Sequence, residues 1–303
     1  MTLVFRDYDL RSLELEYAGS VRQPELVAPR AAREARIAEI NADILANRPR
    51  LLDFVYGVHD RERLDYFPVA DDFAPLFVFF HGGYWKSRDK NMFTYLAPAL
   101  VDAGVNFAAV GYPYATDARL RGTVESCRRA VHWLLSYPSN LRFDPTRVHV
   151  GGHSAGGHLA AMMMATDWRA YGLPTDSIKS ATCISGLYDL EPLTICRQHR
   201  DLGIDAAEEA VTFGKVKYDH IVKRHVFVGD AGGMDNRLPA FIGLAQPKTL
   251  ARYAEGGGLI VNILGLQLLV AAEQRGSDWI EHHHRNTAHR QRYAEHRYQD
   301  LPD

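Results

Sequence analysis

The sequence predicts an α/β fold, a mostly parallel central sheet of about eight strands with helices on both faces. Three observations predict it. Short apolar runs alternate with amphipathic segments of helical period from residue 63 to residue 190. Glycines stand where strands should end, as in "PLFVFFHGG" (75–83) and "RVHVGG" (147–152). The chain has 303 residues, 47% hydrophobic and 24% charged, which is ordinary globular composition with enough apolar material for a large core.

Taken in order, residues 1–50 read as a polar helical cover, with Ile37, Ile40 and Ile44 at helical spacing. "RLDYFPV" (63–69) and "PLFVFFHGG" (75–83) read as strands, the second fully buried. "DKNMFTYLAPALVDAG" (89–104) is an amphipathic helix that Gly104 can terminate. "VNFAAVGYP" (105–113) is a further buried strand, and "TVESCRRAVHWLLSYP" (123–138) a helix with Thr123 as its N-cap. "RVHVGG" leads directly into the helix "SAGGHLAAMMMATD" (154–167), and "SATCISGLYDL" (180–190) contains another strand. Farther on, "RHVFVGD" (224–230) is a strand, "QPKTLARYAEGG" (246–257) a helix and "LIVNILGL" (259–266) a last strand before a polar, His-rich tail. No internal repeat or Pro/Ser-rich linker divides the chain, so a single domain over 1–303 is expected, with 195–303 as its divergent part.

Charge and cysteine content narrow the function classes. The net charge of −2, with fourteen histidines counted neutral, gives no basic surface for nucleic acid or an anionic membrane. The apolar stretch 259–272 is too short for a bilayer core of roughly 30 Å. The N-terminus carries acids early and has no long apolar core, so it does not read as a signal peptide. Cys127, Cys183 and Cys196 are odd in number and lack metal spacing, which is read as three reduced thiols in a cytoplasmic protein.

The chemistry concentrates at "GHSAG" (152–156). Gly-x-Ser-x-Gly between a strand and a helix is the pattern of a nucleophile elbow, in which a strained turn lifts a serine hydroxyl out of the sheet's end. Side chains two positions either side would collide, hence Gly152 and Gly156. The helix that follows aims its first amides and its positive dipole end at the same point. Ser154 is therefore the candidate nucleophile. Upstream, "FVFFHGGYW" (77–85) puts a glycine loop after a buried strand, where backbone amides can receive a developing oxyanion. Gly82, Gly83 and Ala155 are the expected donors.

"HGGYW", "GHSAGGHLAA" and "SGLYDLEPL" (185–193), in this order, resemble the kynurenine formamidase (arylformamidase) family of α/β-hydrolases, over roughly residues 1 to 195. The resemblance implies the α/β-hydrolase fold, and removal of formate from N-formylkynurenine by a serine, an acid and a histidine without a cofactor. It implies that His81 shapes the oxyanion loop and that Tyr84 and Trp85 line a pocket for an aromatic substrate, while His153 frames that pocket beside the nucleophile. His158, four residues after Ser154, is expected to pack rather than react.

A serine needs a base, and the base an orienting carboxylate. In this fold both follow the serine, acid first. Asp235 is the expected acid, with Asp230 beside it in "VGDAGGMDNRLPAF", because the family places its acid shortly before a Pro–acid–Phe stretch that "LPAF" partly matches. The family's histidine turn after the last strand has no counterpart. The next histidines are His282, His283, His284 and His289, among which His283 stands as the expected base. The run of histidines does not have metal-ligand spacing, so no metal is expected. The expected substrate is a small aromatic formamide or an ester. Neither nucleic acid nor a membrane is expected as a partner, and a homodimer is left open. A carboxylesterase on small acyl esters is the alternative activity, and a non-catalytic homologue that binds an aromatic ligand is the alternative outside enzymes.

Overall fold

The computed structural model describes residues 2–17, 27–136, 141–184, 186–207 and 225–229. Among these residues the centre is a seven-stranded sheet. The strands are β3 (Leu51–Val55), β4 (Arg63–Phe67), β5 (Leu76–Phe80), β6 (Asn106–Val110), β7 (Val148–His153), β8 (Ser180–Ile184) and β9 (His225–Gly229). Their order across the sheet is β3-β4-β6-β5-β7-β8-β9. β3 and β4 are antiparallel to each other, β4 is antiparallel to β6, and every later pairing is parallel. Helices cover both faces, as the α/β-hydrolase fold requires. No helix among the described residues is long and apolar enough to cross a membrane.

The central strands are buried along their whole length, and their sequences show why. "LFVFF" and "NFAAV" offer apolar side chains to both faces, which suits a strand sandwiched between helices. Helix α5 (Ala155–Ala165) is likewise apolar all round. Residues Ala155 to Met164 are all buried, and the helix packs on β5, β7 and β8.

The N-terminal region departs from the expected helical cover. Two short strands, β1 (Leu3–Phe5) and β2 (Tyr8–Asp9), pair antiparallel before α1 (Leu10–Glu16), which Asp9 caps by accepting from the Ser12 amide. Helix α2 (Val27–Asn47) then follows the expected periodicity, with Ile44 buried and Ile37 and Ile40 half-buried. The edge strand β3 had no sequence signal. Its Leu51, Leu52 and Val55 are exposed, so no buried face imposed an alternation.

Two helix expectations need correction. The segment 89–104 is not one helix but a 3-10 stretch, Lys90–Leu96, running into α3 (Ala97–Asp102), with Pro98 in the first turn of α3. Gly104 does follow it in the left-handed region at φ 78°. Thr123 is not an N-cap. Helix α4 (Ala115–Ser136) begins eight residues earlier and is kinked at Arg119, whose φ is 58°. The Thr123 hydroxyl donates instead to the carbonyls of Pro113 and Arg119, closing the kink from inside. Helix α6 (Glu191–Ile195) is short and carries proline in its first turn. The expected helix 246–257, strand 259–266 and His-rich tail lie outside the described residues.

Cys127, Cys183 and Cys196 are free and buried. A buried ion cluster ties the antiparallel edge to the 3-10 stretch. Lys90 Nζ donates to both Asp65 carboxylate oxygens at 2.8 and 2.7 Å and lies 2.9 Å from Asp53. Asp65 also accepts from the Asp53 amide, yet burial pushes its pKa above the usual carboxylate range. Lys90→Met leaves this carboxylate without its cation and should destabilise the protein by about 3–5 kcal/mol in urea denaturation. Adding Asp65→Asn should recover part of the loss. A change below about 1 kcal/mol for the single variant would show that the cluster is not a buried pair.

Candidate active site

The site grows from the parallel register of three strands. Phe80, the last residue of β5, pairs with Gly152 of β7, and His153 at the end of β7 pairs with Ile184 of β8. The chain therefore leaves β5 and β7 side by side at the carboxyl edge of the sheet, where ligands of open α/β sheets bind. β9 ends level with them, Gly229 pairing with Ile184.

Ser154 stands at the turn from β7 to α5 with φ 57° and ψ −123°. A non-glycine residue there is strained, and it persists only where its surroundings over-determine it. They do so here. The Ser154 amide donates to the Ile184 carbonyl at 2.8 Å, and its carbonyl accepts from the amides of Gly157 and His158. Although Ser154 occupies the N-cap position, its hydroxyl makes no capping bond to the helix. It is half-buried.

The glycines of the motif are forced by packing. A Cβ on Gly156 would fall 1.9 Å from the Phe80 carbonyl oxygen, and one on Gly152 would fall 2.2 Å from the carbonyl oxygen of Gly156. Real side chains do not approach backbone so closely. The turn is pressed onto the end of β5, and this contact brings the two sequence motifs together. Gly82 closes the arrangement: a Cβ there would lie 2.7 Å from the His153 carbonyl oxygen and 3.3 Å from Ser154 Cβ. Gly83 lies at φ 120° and bends the loop back. Its carbonyl accepts from the Lys86 amide at 3.0 Å and from the Ser87 hydroxyl at 2.9 Å. The amides of Gly82 and Gly83 donate to no backbone carbonyl among the described residues. Ala155 is the first residue of α5, where amides have no partner inside the helix.

His81 is buried and braced. Its Nδ1 lies 2.8 Å from the Gly82 carbonyl, which only accepts, so Nδ1 carries the hydrogen. Tyr112 stacks on the ring with centroids 4.1 Å apart, and its hydroxyl donates to the His81 carbonyl at 2.5 Å. Burial pushes the His81 pKa down to about 4, so the imidazole is neutral at physiological pH. Tyr112 was not singled out in the sequence. Its signal is positional, since it follows β6, the neighbour of β5, and so emerges beside His81.

The other candidates divide. Tyr84 is half-buried, whereas Trp85 has no exposed surface and meets His158 edge-on at 5.2 Å. Both have positive φ, 51° and 53°. His153 is half-buried next to Gly82, its pKa lowered first by burial and then by Arg88 and Arg33. Asp235, Asp230, His282, His283, His284 and His289 lie outside the described residues.

Comparison with known proteins follows this geometry. A family model described as BD-FAE matches residues 66–183, the span that holds both motifs. The chain is 36% identical to kynurenine formamidase of Danio rerio over 186 residues, 60% of this chain and 61% of the fish protein. It is 39% identical to kynurenine formamidase of Salmo salar over 145 residues, 47% of this chain and 48% of that protein. The chain thus spans about half to three fifths of these curated relatives. A crystal structure from a Silicibacter species, provisionally called a thioesterase, superposes with a TM-score of 0.56 at 28% identity, covering 71% of this chain and 78% of that one.

Two outcomes follow for the site. Gly156→Ala should destabilise the protein by at least the roughly 1–3 kcal/mol usual for overpacking, because the colliding atom is backbone and cannot rotate away. A denaturation midpoint equal to the parent's would refute the tight turn. His81, neutral when folded, takes up a proton near pH 6.5 only after unfolding. Its contribution is full above pH 6.5 and is lost as pH falls toward 4, by at most about 1.4 kcal/mol per pH unit. The pH dependence of urea stability over this window should be shallower in His81→Asn, and an unchanged slope would contradict a buried neutral imidazole.

Proposed function

We propose that this chain, related to the esterases and formamidases of the α/β-hydrolase superfamily, is a serine hydrolase of esterase or amidase type that acts on small acyl substrates. One observation carries the reading. Ser154 is held in a strained left-handed conformation at the sheet's carboxyl edge, at the N-terminus of a buried helix and against Gly82. A structural serine has no need of that strain or of two flanking glycines pressed on backbone.

In this proposal Ser154 Oγ attacks the acyl carbonyl carbon and gives its proton to a histidine base. The carbonyl oxygen becomes an oxyanion that the amides of Gly82, Gly83 and Ala155 receive, each donor worth about 2.7–4 kcal/mol in the transition state. The base returns its proton to the departing alkoxide or amine. Water, deprotonated by the same base, then releases the acid from the acyl-enzyme and restores the serine hydroxyl. His283 is proposed as the base and Asp235 as its carboxylate, with Asp230 as the alternative acid. His81 holds Gly82 in place through its Nδ1–H, so it shapes the donor loop and does not move the reacting proton.

A narrower reading assigns N-formylkynurenine as substrate. The similarity to the kynurenine formamidases of Danio rerio and Salmo salar, at 36% and 39% identity over part of each chain, supports it. The carboxylester reading is the broader one, and the serine chemistry is the same in both.

The test is labelling with a fluorophosphonate probe, followed by turnover of p-nitrophenyl acetate and N-formylkynurenine. The parent should label at Ser154, and Ser154→Ala should neither label nor turn over either substrate above about one part in a thousand of the parent rate. Turnover of the ester with none of the formamide assigns a carboxylesterase. A folded protein that the probe does not label is a non-catalytic homologue, and the proposal then fails.

A further inference from the structure

The loop that presents Gly82 and Gly83 is gripped from outside by the N-terminal segment. The backbone carbonyl of Tyr17, at the end of α1, is a shared acceptor. Tyr84 Oη donates to it at 3.2 Å, and His199 Nε2 lies 3.1 Å from it. A carbonyl only accepts, so His199 carries its hydrogen on Nε2. Burial lowers the His199 pKa, so the ring stays neutral and keeps this tautomer. The two rings stack on each other, with centroids 4.5 Å apart and planes 17° from parallel. The grip is seated at several points. Leu13 of α1 is buried, Glu14 accepts from the Arg197 amide at 3.0 Å, and Arg6 pairs with Asp189 at 3.0 Å. Lys86, two residues beyond Tyr84, pairs with Asp201 at 2.8 Å and ties the loop to the same 197–202 turn.

The backbone of the loop gives this grip a purpose. Gly83, Tyr84 and Trp85 all have positive φ, at 120°, 51° and 53°. Glycine adopts that region freely, but Tyr84 and Trp85 do not. Trp85 is held by complete burial and by its carbonyl, which accepts from the Ala115 amide at 2.7 Å. Tyr84 is only half-buried, and its hydroxyl and ring are engaged by Tyr17 and His199. Release of Tyr84 lets its backbone relax toward negative φ, and Gly83, bonded directly to it, moves with it. The amides that receive the oxyanion would then drift from their line of fire.

We propose that Tyr84 and His199 are positioning residues for the oxyanion loop, acting through the shared carbonyl of Tyr17, so that the N-terminal segment sets the geometry of the donors. This inference rests on the reading of Ser154 as nucleophile. It predicts that the two side chains support kcat rather than substrate binding, since the oxyanion exists only in the transition state.

The test uses the full chain with p-nitrophenyl acetate and three variants: Tyr84→Phe, which removes one oxygen atom, His199→Phe, which keeps the stacked ring and removes the donor, and the double variant. Each single variant should lower kcat by about fivefold, the worth of one ordinary hydrogen bond, with KM changed less than about twofold. The double variant should lose less than the product of the two, because both donors share one acceptor. Amide hydrogen exchange in the 80–87 peptide should accelerate in every variant, with the same thermal midpoint for Tyr84→Phe as for the parent. Unchanged kcat, or a rise in KM alone, with unchanged exchange would overturn the proposal. If the parent itself neither labels nor turns over ester, the serine reading has failed, and exchange in the 80–87 peptide still decides whether Tyr84 and His199 hold the loop.

Discussion

The structure depends on one close approach, that of the β7–α5 turn to the end of β5. Gly156 and Gly152 let the turn sit with its backbone directly on the carbonyls of Phe80 and His81. Any side chain at Gly156 would push the helix off the strand. This contact places Ser154 beside Gly82, seventy-two positions earlier in the chain, and brings two separate glycine-rich segments together at one corner. Helix α5 is buried on every side because β5, β7 and β8 cover one face and α4 packs against it as well, and apart from His158 its sequence is Ala, Gly, Leu and Met.

Around that corner the polar groups are buried or half-buried, and burial keeps the imidazoles among them neutral. His81 is neutral because burial disfavours its charge, and its one hydrogen on Nδ1 is committed to the Gly82 carbonyl. The pKa values of His153 and His199 are lowered for the same reason. A corner lined with neutral imidazoles and backbone amides offers dipoles rather than fixed charge. Such groups can stabilise a charge that appears during reaction without first binding a counter-ion. Toward the antiparallel edge of the sheet the logic reverses: Lys90 and Asp65 bury full charges that compensate each other directly, with the exposed Asp53 carboxylate 2.9 Å from the same ammonium.

Much of the core was readable from residue patterns, and the reasons are local. β4, β5, β6 and β8 each fall within the apolar runs that named them, β9 falls within "RHVFVGD", and β7 runs one residue past "RVHVGG" to His153. Helix α2 keeps Ile37, Ile40 and Ile44 on its inward side, as their spacing required. What misled was equally physical. β3 has an exposed, bulged register against β4, so its sequence carries no alternation to detect. Thr123 has the composition of a cap, but the Arg119 kink lets the helix continue through it. The run 89–104 has helical composition, yet it begins as a 3-10 stretch whose Lys90 is drawn inward to Asp65.

The sequence by itself determined the α/β character of the chain, the strand–turn–helix around Ser154 and the glycine loop at 82–83, because backbone preference and apolar periodicity are properties of neighbouring residues. Only the tertiary structure decided that Tyr112 would brace His81, that Trp85 would vanish into the core while Tyr84 stayed near the surface, and that Tyr84 and His199 would meet on the carbonyl of Tyr17. Those partners lie far apart in the chain. They meet through parallel strand register and through the docking of α1, and both are chosen by hydrogen bonds and burial summed over the whole sheet.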